Sequence, residues 1–134
     1  MHKPIFTPSA PAVVGPYSQG IRLEGFIYAS GQLPIHPATG EMPKETVDQT
    51  RQALENVRAV LTAAGSGLDK VVKVTVFLVD MDDFAAMNEV YSSFFVSPYP
   101  ARSCVAVKAL PRGARVEIEA IAYAPCDCDC GCTG

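Results

Sequence analysis

The sequence predicts an α+β fold: one mixed β-sheet with two helices on the same face. Three observations predict it. Two segments carry apolar residues at helical spacing, and short runs rich in β-branched residues flank them. The order reads hairpin, helix, strand, helix, hairpin, with each helix short enough to cross over one face of a sheet. At 134 residues with 49% apolar content, the chain is sized for one domain and can bury a core without staples.

Each element has a local cause. Residues 1–16 hold Pro4, Pro8, Pro11 and Pro16 and read as an extended arm closing in the Gly15-Pro16 turn. Residues 18–23 and 26–30 flank Glu24-Gly25, a hairpin signal. Residues 31–45, with Gly31, Pro34, Pro37, Gly40 and Pro43, are expected to be loop. Residues 46–64 are the clearest helix: Val47, Leu54, Val57, Leu61 and Ala64 fall on one face. Thr46-x-x-Gln49 has the form of a capping box, and Gly65 supplies a left-handed stop. Val71–Val79 alternates as a β-branched strand. Asp80 or Asp82 can cap a second helix, whose face is Phe84, Met87, Tyr91 and Phe94 and which Pro98 and Pro100 bar from continuing. Residues 102–108 and 115–123 read as two strands joined in a hairpin by Leu110–Ala114. Residues 1–125 are therefore expected to form a single domain. Residues 126–134 change composition to a Cys-rich C-terminal tail, expected to be disordered.

Composition excludes several classes. A net charge of −3 and no basic-aromatic stripe argue against a dedicated nucleic-acid binder. No apolar run approaches the ~20 residues a membrane span needs, and Met1–Phe6 lacks the features of a secretory signal. A cytoplasmic protein is the expectation. The five cysteines are odd in number and four crowd the last nine residues, so they are expected to be reduced thiols rather than a disulfide framework. Cys126, Cys128, Cys130 and Cys132 could wrap a soft metal, but alternate-residue spacing is not the usual zinc pattern.

The familiar catalytic signatures are missing: no Gly-rich phosphate loop, no metal-binding His pair and no nucleophile elbow. His2 and His36 fall in a terminus and a Pro-rich loop, where a solvated imidazole is the expected state. The densest polar cluster is Arg102-Ser103-Cys104, followed by Glu117-Ile118-Glu119. In a strand, Arg102 and Cys104 share a face. The expected turn at Pro111–Gly113 would bring Glu117 and Glu119 alongside them. An Arg in a half-buried site binds a carboxylate through two parallel hydrogen bonds, and a nearby Glu could handle a water. A structural Arg–Glu pair across two strands is the simpler account of the spacing alone. Cys104 by itself reads as a small buried hydrophobe, with no His nearby in sequence to activate it.

Four segments carry a wider resemblance. They are Gly15-Pro16-Tyr17-Ser18-Gln19-Gly20, Ala29-Ser30-Gly31-Gln32, Asp83-Phe84 with Asn88-Glu89-Val90-Tyr91, and Pro100-Ala101-Arg102-Ser103 with Leu110-Pro111 and Val116–Ala120. In order and spacing, over residues 3–124, they resemble the RidA (YjgF/UK114) family. The resemblance implies a chorismate-mutase-like fold and a homotrimer whose sheets form a central barrel, with clefts between subunits. It implies hydrolytic deamination of the reactive enamine/imine acids 2-iminobutanoate and 2-iminopropanoate to 2-keto acids and ammonia, with no metal and no organic cofactor.

By the same resemblance, Arg102 binds the substrate carboxylate and Glu117 orients water. The Gly31 amide and the Cys104 carbonyl complete the site, Tyr17 lines it, and Phe84 and Asn88 reach in from the second helix. Each cleft would then combine Arg102, Cys104 and Glu117 of one subunit with residues of its neighbour. Tyr17 could equally pack on the sheet after its Gly-Pro turn, Phe84 could belong to the core, and Asn88 could be a solvated helix residue. Two rival functions are a non-catalytic small-ligand-binding regulatory trimer, which needs mainly Arg102, and an endoribonuclease or translation inhibitor, which the acidic charge balance weakens. The expected partner is a small 2-imino or 2-keto carboxylate, not nucleic acid or membrane.

Overall fold

A computed structural model describes residues 1–125, so the four tail cysteines lie outside the described residues. The fold is α+β: one mixed sheet of six strands with two helices on one face. The strands are β1 (Lys3–Ile5), β2 (Gly20–Leu23), β3 (Phe26–Gln32), β4 (Val71–Leu78), β5 (Ala101–Ala106) and β6 (Val116–Tyr123). The helices are α1 (Thr46–Ala63) and α2 (Phe84–Phe94). In space the order is β1-β2-β3-β6-β4-β5, and only the β4–β5 pair is parallel.

The β2–β3 hairpin follows from its turn. Glu24 and Gly25 both take positive φ, 47° and 84°, as a two-residue turn matched to strand twist requires, and Leu23 pairs with Phe26 directly behind them. The Pro-rich arm is less simply extended than its composition predicts. Its first residues form β1 along β2, and the rest is tied down by one buried side chain. Gln19 Oε1 accepts from the Thr7 amide at 2.7 Å, while Gln19 Nε2 donates to the carbonyls of Thr7 and Pro11. A segment short of backbone donors thus has its acceptors satisfied by a side-chain amide.

Helix α1 ends as expected. Gly65 takes φ +82°, its amide donates to Thr62 O, and the Ser66 amide donates to Leu61 O, the pair of hydrogen bonds of a Schellman stop. It does not start as expected. Glu45, not Thr46, precedes the first turn, no side chain caps it, and Thr46 Oγ1 is buried without a partner. Gln49 is drawn into tertiary bonds instead: its Nε2 donates to Pro43 O and its Oε1 accepts from the Arg115 amide, both at 2.8 Å. Val47 is accordingly 38% exposed, while Leu54, Val57, Val60 and Leu61 form the buried stripe.

Asp80 Oδ1 caps the single 3₁₀ turn at Met81–Asp83 that leads into α2 by accepting from the Asp82 amide. Asp83 makes no cap; its carboxylate is bracketed by Arg115 Nη2 at 3.1 Å from each oxygen. On β4, Val74, Val76 and Leu78 point to the helices and are at most 1% exposed. They pack with Ile118, Leu54, Leu61 and Met87 in one core.

The expected C-terminal hairpin does not form. β5 lies parallel to β4, and β6 inserts between β4 and β3, so β4 separates β5 from β6. The connection through residues 107–115 crosses β4: the Val107 amide donates to Leu78 O and the Val79 amide to Arg115 O. Pro111, with Arg112 and Gly113 at positive φ, makes the turn that sequence reasoning took for a hairpin. The arrangement gives β6 two neighbours, as its fully buried alternate residues Val116, Ile118 and Ala122 require.

Candidate functional site

The topology has a direct consequence for the expected site. Residues paired across strands share a sheet face. Arg102 aligns with Val74 and then Ala120, and Cys104 with Val76 and Ile118, so both lie on the helix face. Glu117 aligns with Phe77 and Val105, and Glu119 with Thr75 and Ser103, so both lie on the open face. Within one chain Arg102 and Glu117 are therefore not side by side. The sequence residues form two separate clusters.

The first cluster is built by β5 and α2. Phe84, Asn88 and Tyr91 are spaced four and three apart, one stripe of the helix, and all three touch Arg102. Arg102 Nη1 donates to Asn88 Oδ1 at 2.7 Å. The guanidinium carbon lies 4.6 Å from the Tyr91 ring centroid and 5.6 Å from that of Phe84. No carboxylate pairs with Arg102 among the described residues. The structural Arg–Glu pair is thus excluded as the account of this residue. A cavity of about 390 Å³ opens here, lined by Asn88, Tyr91, Ser92, Tyr99, Pro100 and Arg102. Cys104 is half-buried beside it. Burial pushes its thiol pKa up, and the nearby Arg102 charge only partly offsets this, so the thiol stays protonated.

The second cluster is built by β3, β6 and the loop before β2. Gly31 sits in the irregularity that shifts the β3–β6 register between Ala29 and Gln32. The Glu117 side chain occupies the space where a β-carbon at Gly31 would stand, meeting its Oε2 and Cδ. Burial raises the Glu117 pKa, and repulsion from Glu119 raises it further. Ser30 fixes the preceding loop, donating from its hydroxyl to Ser18 O at 2.6 Å and from its amide to Gln19 O at 2.9 Å. That places Tyr17, 51% exposed, one residue from this anchor.

Because the atom that a Gly31 β-carbon meets first is the tip of a flexible side chain, Gly31→Ala is expected to leave the fold intact and to displace the carboxylate. Thermal melting within a few degrees of wild type, together with loss of any Glu117-dependent activity, is the expected pair of results.

Sequence reasoning missed Tyr91 as a site residue. Its place on the apolar stripe of α2 signalled core, and it is 5% exposed; only its distance to Arg102 reveals a second role. A larger cavity of about 440 Å³, along α1 beside Thr7, Gln52 and Asn56, touches none of the singled-out residues. Among the described residues no cluster of His, Cys, Asp or Glu is arranged to hold a metal, and no helix is long and apolar enough to cross a membrane.

Known proteins share this sequence and fold. The chain is 55% identical over 122 residues to RutC family protein y4sK of Sinorhizobium fredii, covering 90% of this chain and 97% of that one. It is 49% identical over 125 residues to the 2-iminobutanoate/2-iminopropanoate deaminase of Escherichia coli, covering 91% and 98% of the two chains. Its structure matches that of E. coli TdcF with bound serine at a TM-score of 0.88 and 46% identity, over 92% of this chain and 99% of that one. With the pattern of the family described as Endoribonuclease L-PSP matching residues 7–124, the chain belongs to that family, which is the RidA (YjgF) family its motifs resemble.

Proposed function

We propose that this protein hydrolyses reactive 2-imino acids and their enamine tautomers, 2-iminobutanoate and 2-iminopropanoate, to 2-keto acids and ammonia. The observation that carries the reading is the state of Arg102. It is a planar cation held by an amide and two aromatic faces, with no carboxylate partner among the described residues, beside an open cavity. Such a group is prepared for an external carboxylate, which it takes as a two-bond fork. The deaminase name carried by a relative at 49% identity supports the same substrate class.

In this reading Glu117 supplies the proton handling. A water adds to C2 of the imine: the new C–O bond forms as Glu117 takes a water proton, and the C=N electron pair moves to nitrogen. The same proton returns to nitrogen to give the carbinolamine. Glu117 then takes the hydroxyl proton and passes it to nitrogen, the C=O bond forms as the C–N bond breaks, and ammonia leaves the keto acid. A carboxyl raised above its ordinary value by burial and by Glu119 is a better proton acceptor than a solvated one and still gives the proton back. The Gly31 amide and the Cys104 carbonyl complete the polar lining, and Tyr17 closes it. The protonated Cys104 thiol takes no covalent part.

Since Arg102 and Glu117 face opposite sides of the sheet, the proposal requires two chains: the Arg102 cluster of one copy meets the Glu117 cluster of the next. Such a head-to-tail contact closes into a ring. The ring proposed is the homotrimer that the family resemblance implies, with the open sheet face inward. That face exposes Phe26, Tyr28 and Tyr123 and is the surface a neighbouring copy would bury. This replaces the expectation that Arg102 and Glu117 come from the same subunit.

The direct test adds the purified protein to a threonine dehydratase turning over threonine and follows imine decay by semicarbazide trapping. Faster loss of trapped imine with unchanged dehydratase rate supports the function; no acceleration refutes it. The bound serine in the TdcF structure favours a second reading, a trimer that binds small amino-acid-like ligands without turnover. Under that reading keto acids bind, and the trapping assay shows no acceleration.

The pH profile is a further expected outcome. The ionised Glu117 is the active form, and burial and Glu119 both raise its pKa. The acid limb of kcat/KM should therefore lie above the ordinary carboxylate range, with activity climbing as pH rises through it. Glu119→Gln removes the repulsion and should move that limb to lower pH while leaving the plateau.

A further inference from the structure

We infer that Tyr91 is the positioning residue of Arg102: its ring face sets the plane of the guanidinium and so determines whether Arg102 presents a carboxylate-binding fork. The inference rests on the proposed function for its kinetic consequence, and on geometry alone for its structural one. Asn88 and Tyr91, three residues apart on α2, hold Arg102 from two directions. The amide takes one donor, Nη1, at 2.7 Å, and the ring lies 4.6 Å from the guanidinium carbon. A single hydrogen bond leaves a guanidinium free to swing about that bond; a flat surface beneath it removes the swing. Phe84, at 5.6 Å, is the more distant ring and is considerably more exposed. Tyr91 is itself immobilised, packed in the core and against Phe95, with ring centroids 4.7 Å apart and the planes tilted by 35°.

The hydroxyl group sharpens the assignment. Tyr91 Oη is buried with no hydrogen-bond partner among the described residues, which costs stability. The part of the residue that meets Arg102 is its ring. Burial also raises the phenol pKa, so the ring stays neutral through the working range.

The test uses the full-length protein and reads the Arg102 Nε–Hε resonance by NMR, assigned by its loss in Arg102→Ala, beside kcat and KM in the imine assay. A proton held over an aromatic face is displaced upfield. In wild type that displacement is expected, and Tyr91→Phe should retain it, with KM unchanged and a melting temperature no lower than wild type. Tyr91→Leu should move the resonance toward those of exposed arginines and raise KM about tenfold, with kcat within about twofold. A wild-type Arg102 resonance without upfield displacement overturns the inference, and that arm needs no variant to fold. So does a Tyr91→Leu resonance unchanged from wild type, or a Tyr91→Phe protein as impaired as Tyr91→Leu. If wild type shows no imine hydrolysis, the functional reading falls and the resonance alone decides the role of Tyr91.

Discussion

Arg102→Ala is expected to abolish imine hydrolysis in a protein that still folds. Arg102 lies at the edge strand β5 and is half-buried, so its removal leaves the core of β4, β6 and α1 untouched. The substrate carboxylate would lose a charge-assisted, two-bond partner, an effect on the order of 3 kcal/mol or more, or at least a hundredfold in kcat/KM. Arg102→Lys should not rescue it. The cradle of Asn88, Phe84 and Tyr91 fits a flat cation, and an ammonium offers neither the plane nor the fork. Semicarbazide-trapping kinetics read both variants. Near-normal turnover in either would remove Arg102 from the mechanism.

Glu117→Gln should separate binding from chemistry. The amide keeps the size of the side chain that packs over Gly31 but cannot take a proton from water. Binding of 2-oxobutanoate, read by calorimetry, should stay near wild type, while turnover falls about 10²- to 10⁴-fold, the usual contribution of general acid–base catalysis. Loss confined to kcat marks a group acting in the transition state. The neighbouring Glu119, exposed on the same face, should tolerate the same change apart from the shifted pH limb. The reverse pattern, with Glu119 sensitive and Glu117 tolerant, would contradict the assignment.

Much of the fold was legible because local signals and tertiary packing agree. The alternation of Val71–Leu78, the Gly65 stop and the Glu24-Gly25 turn each act within a few residues, and each appears where the sequence places it. The failures share one cause: a long-range partner outcompeted a local one. Gln49 was free to close a capping box with Thr46 and instead bonds the nearby Pro43 and, 66 residues away in sequence, Arg115. Residues 110–114 hold turn chemistry, yet the strands on either side both pair with β4, because a central strand buries more than a hairpin edge. Strand order is a property of the whole sheet and is not written in either strand.

The site was legible as a list and not as an arrangement. Arg102, Asn88 and Phe84 do meet, and Gly31 and Glu117 do touch. The expectation that Arg102 and Glu117 lie side by side depended on the mistaken hairpin. With β4 between their strands, their parity differs and they face opposite ways. Tyr91 was hidden because a core aromatic and a guanidinium platform share one helical position.

The central claim, that each site is assembled from two copies, is most directly tested by mixing two inactive variants. Arg102→Ala retains an intact Glu117 cluster, and Glu117→Gln retains an intact Arg102 cluster. Unfolded together in equal amounts and refolded, the two chains enter head-to-tail rings at random. An interface is whole when an Arg102-bearing chain precedes a Glu117-bearing one, which happens at about a quarter of interfaces whatever the size of the ring. The account predicts recovery of about a quarter of wild-type imine hydrolysis from two parents that each show almost none. Activity in the mixture no greater than the sum of the parents, with native mass spectrometry confirming that mixed rings have formed, would contradict it.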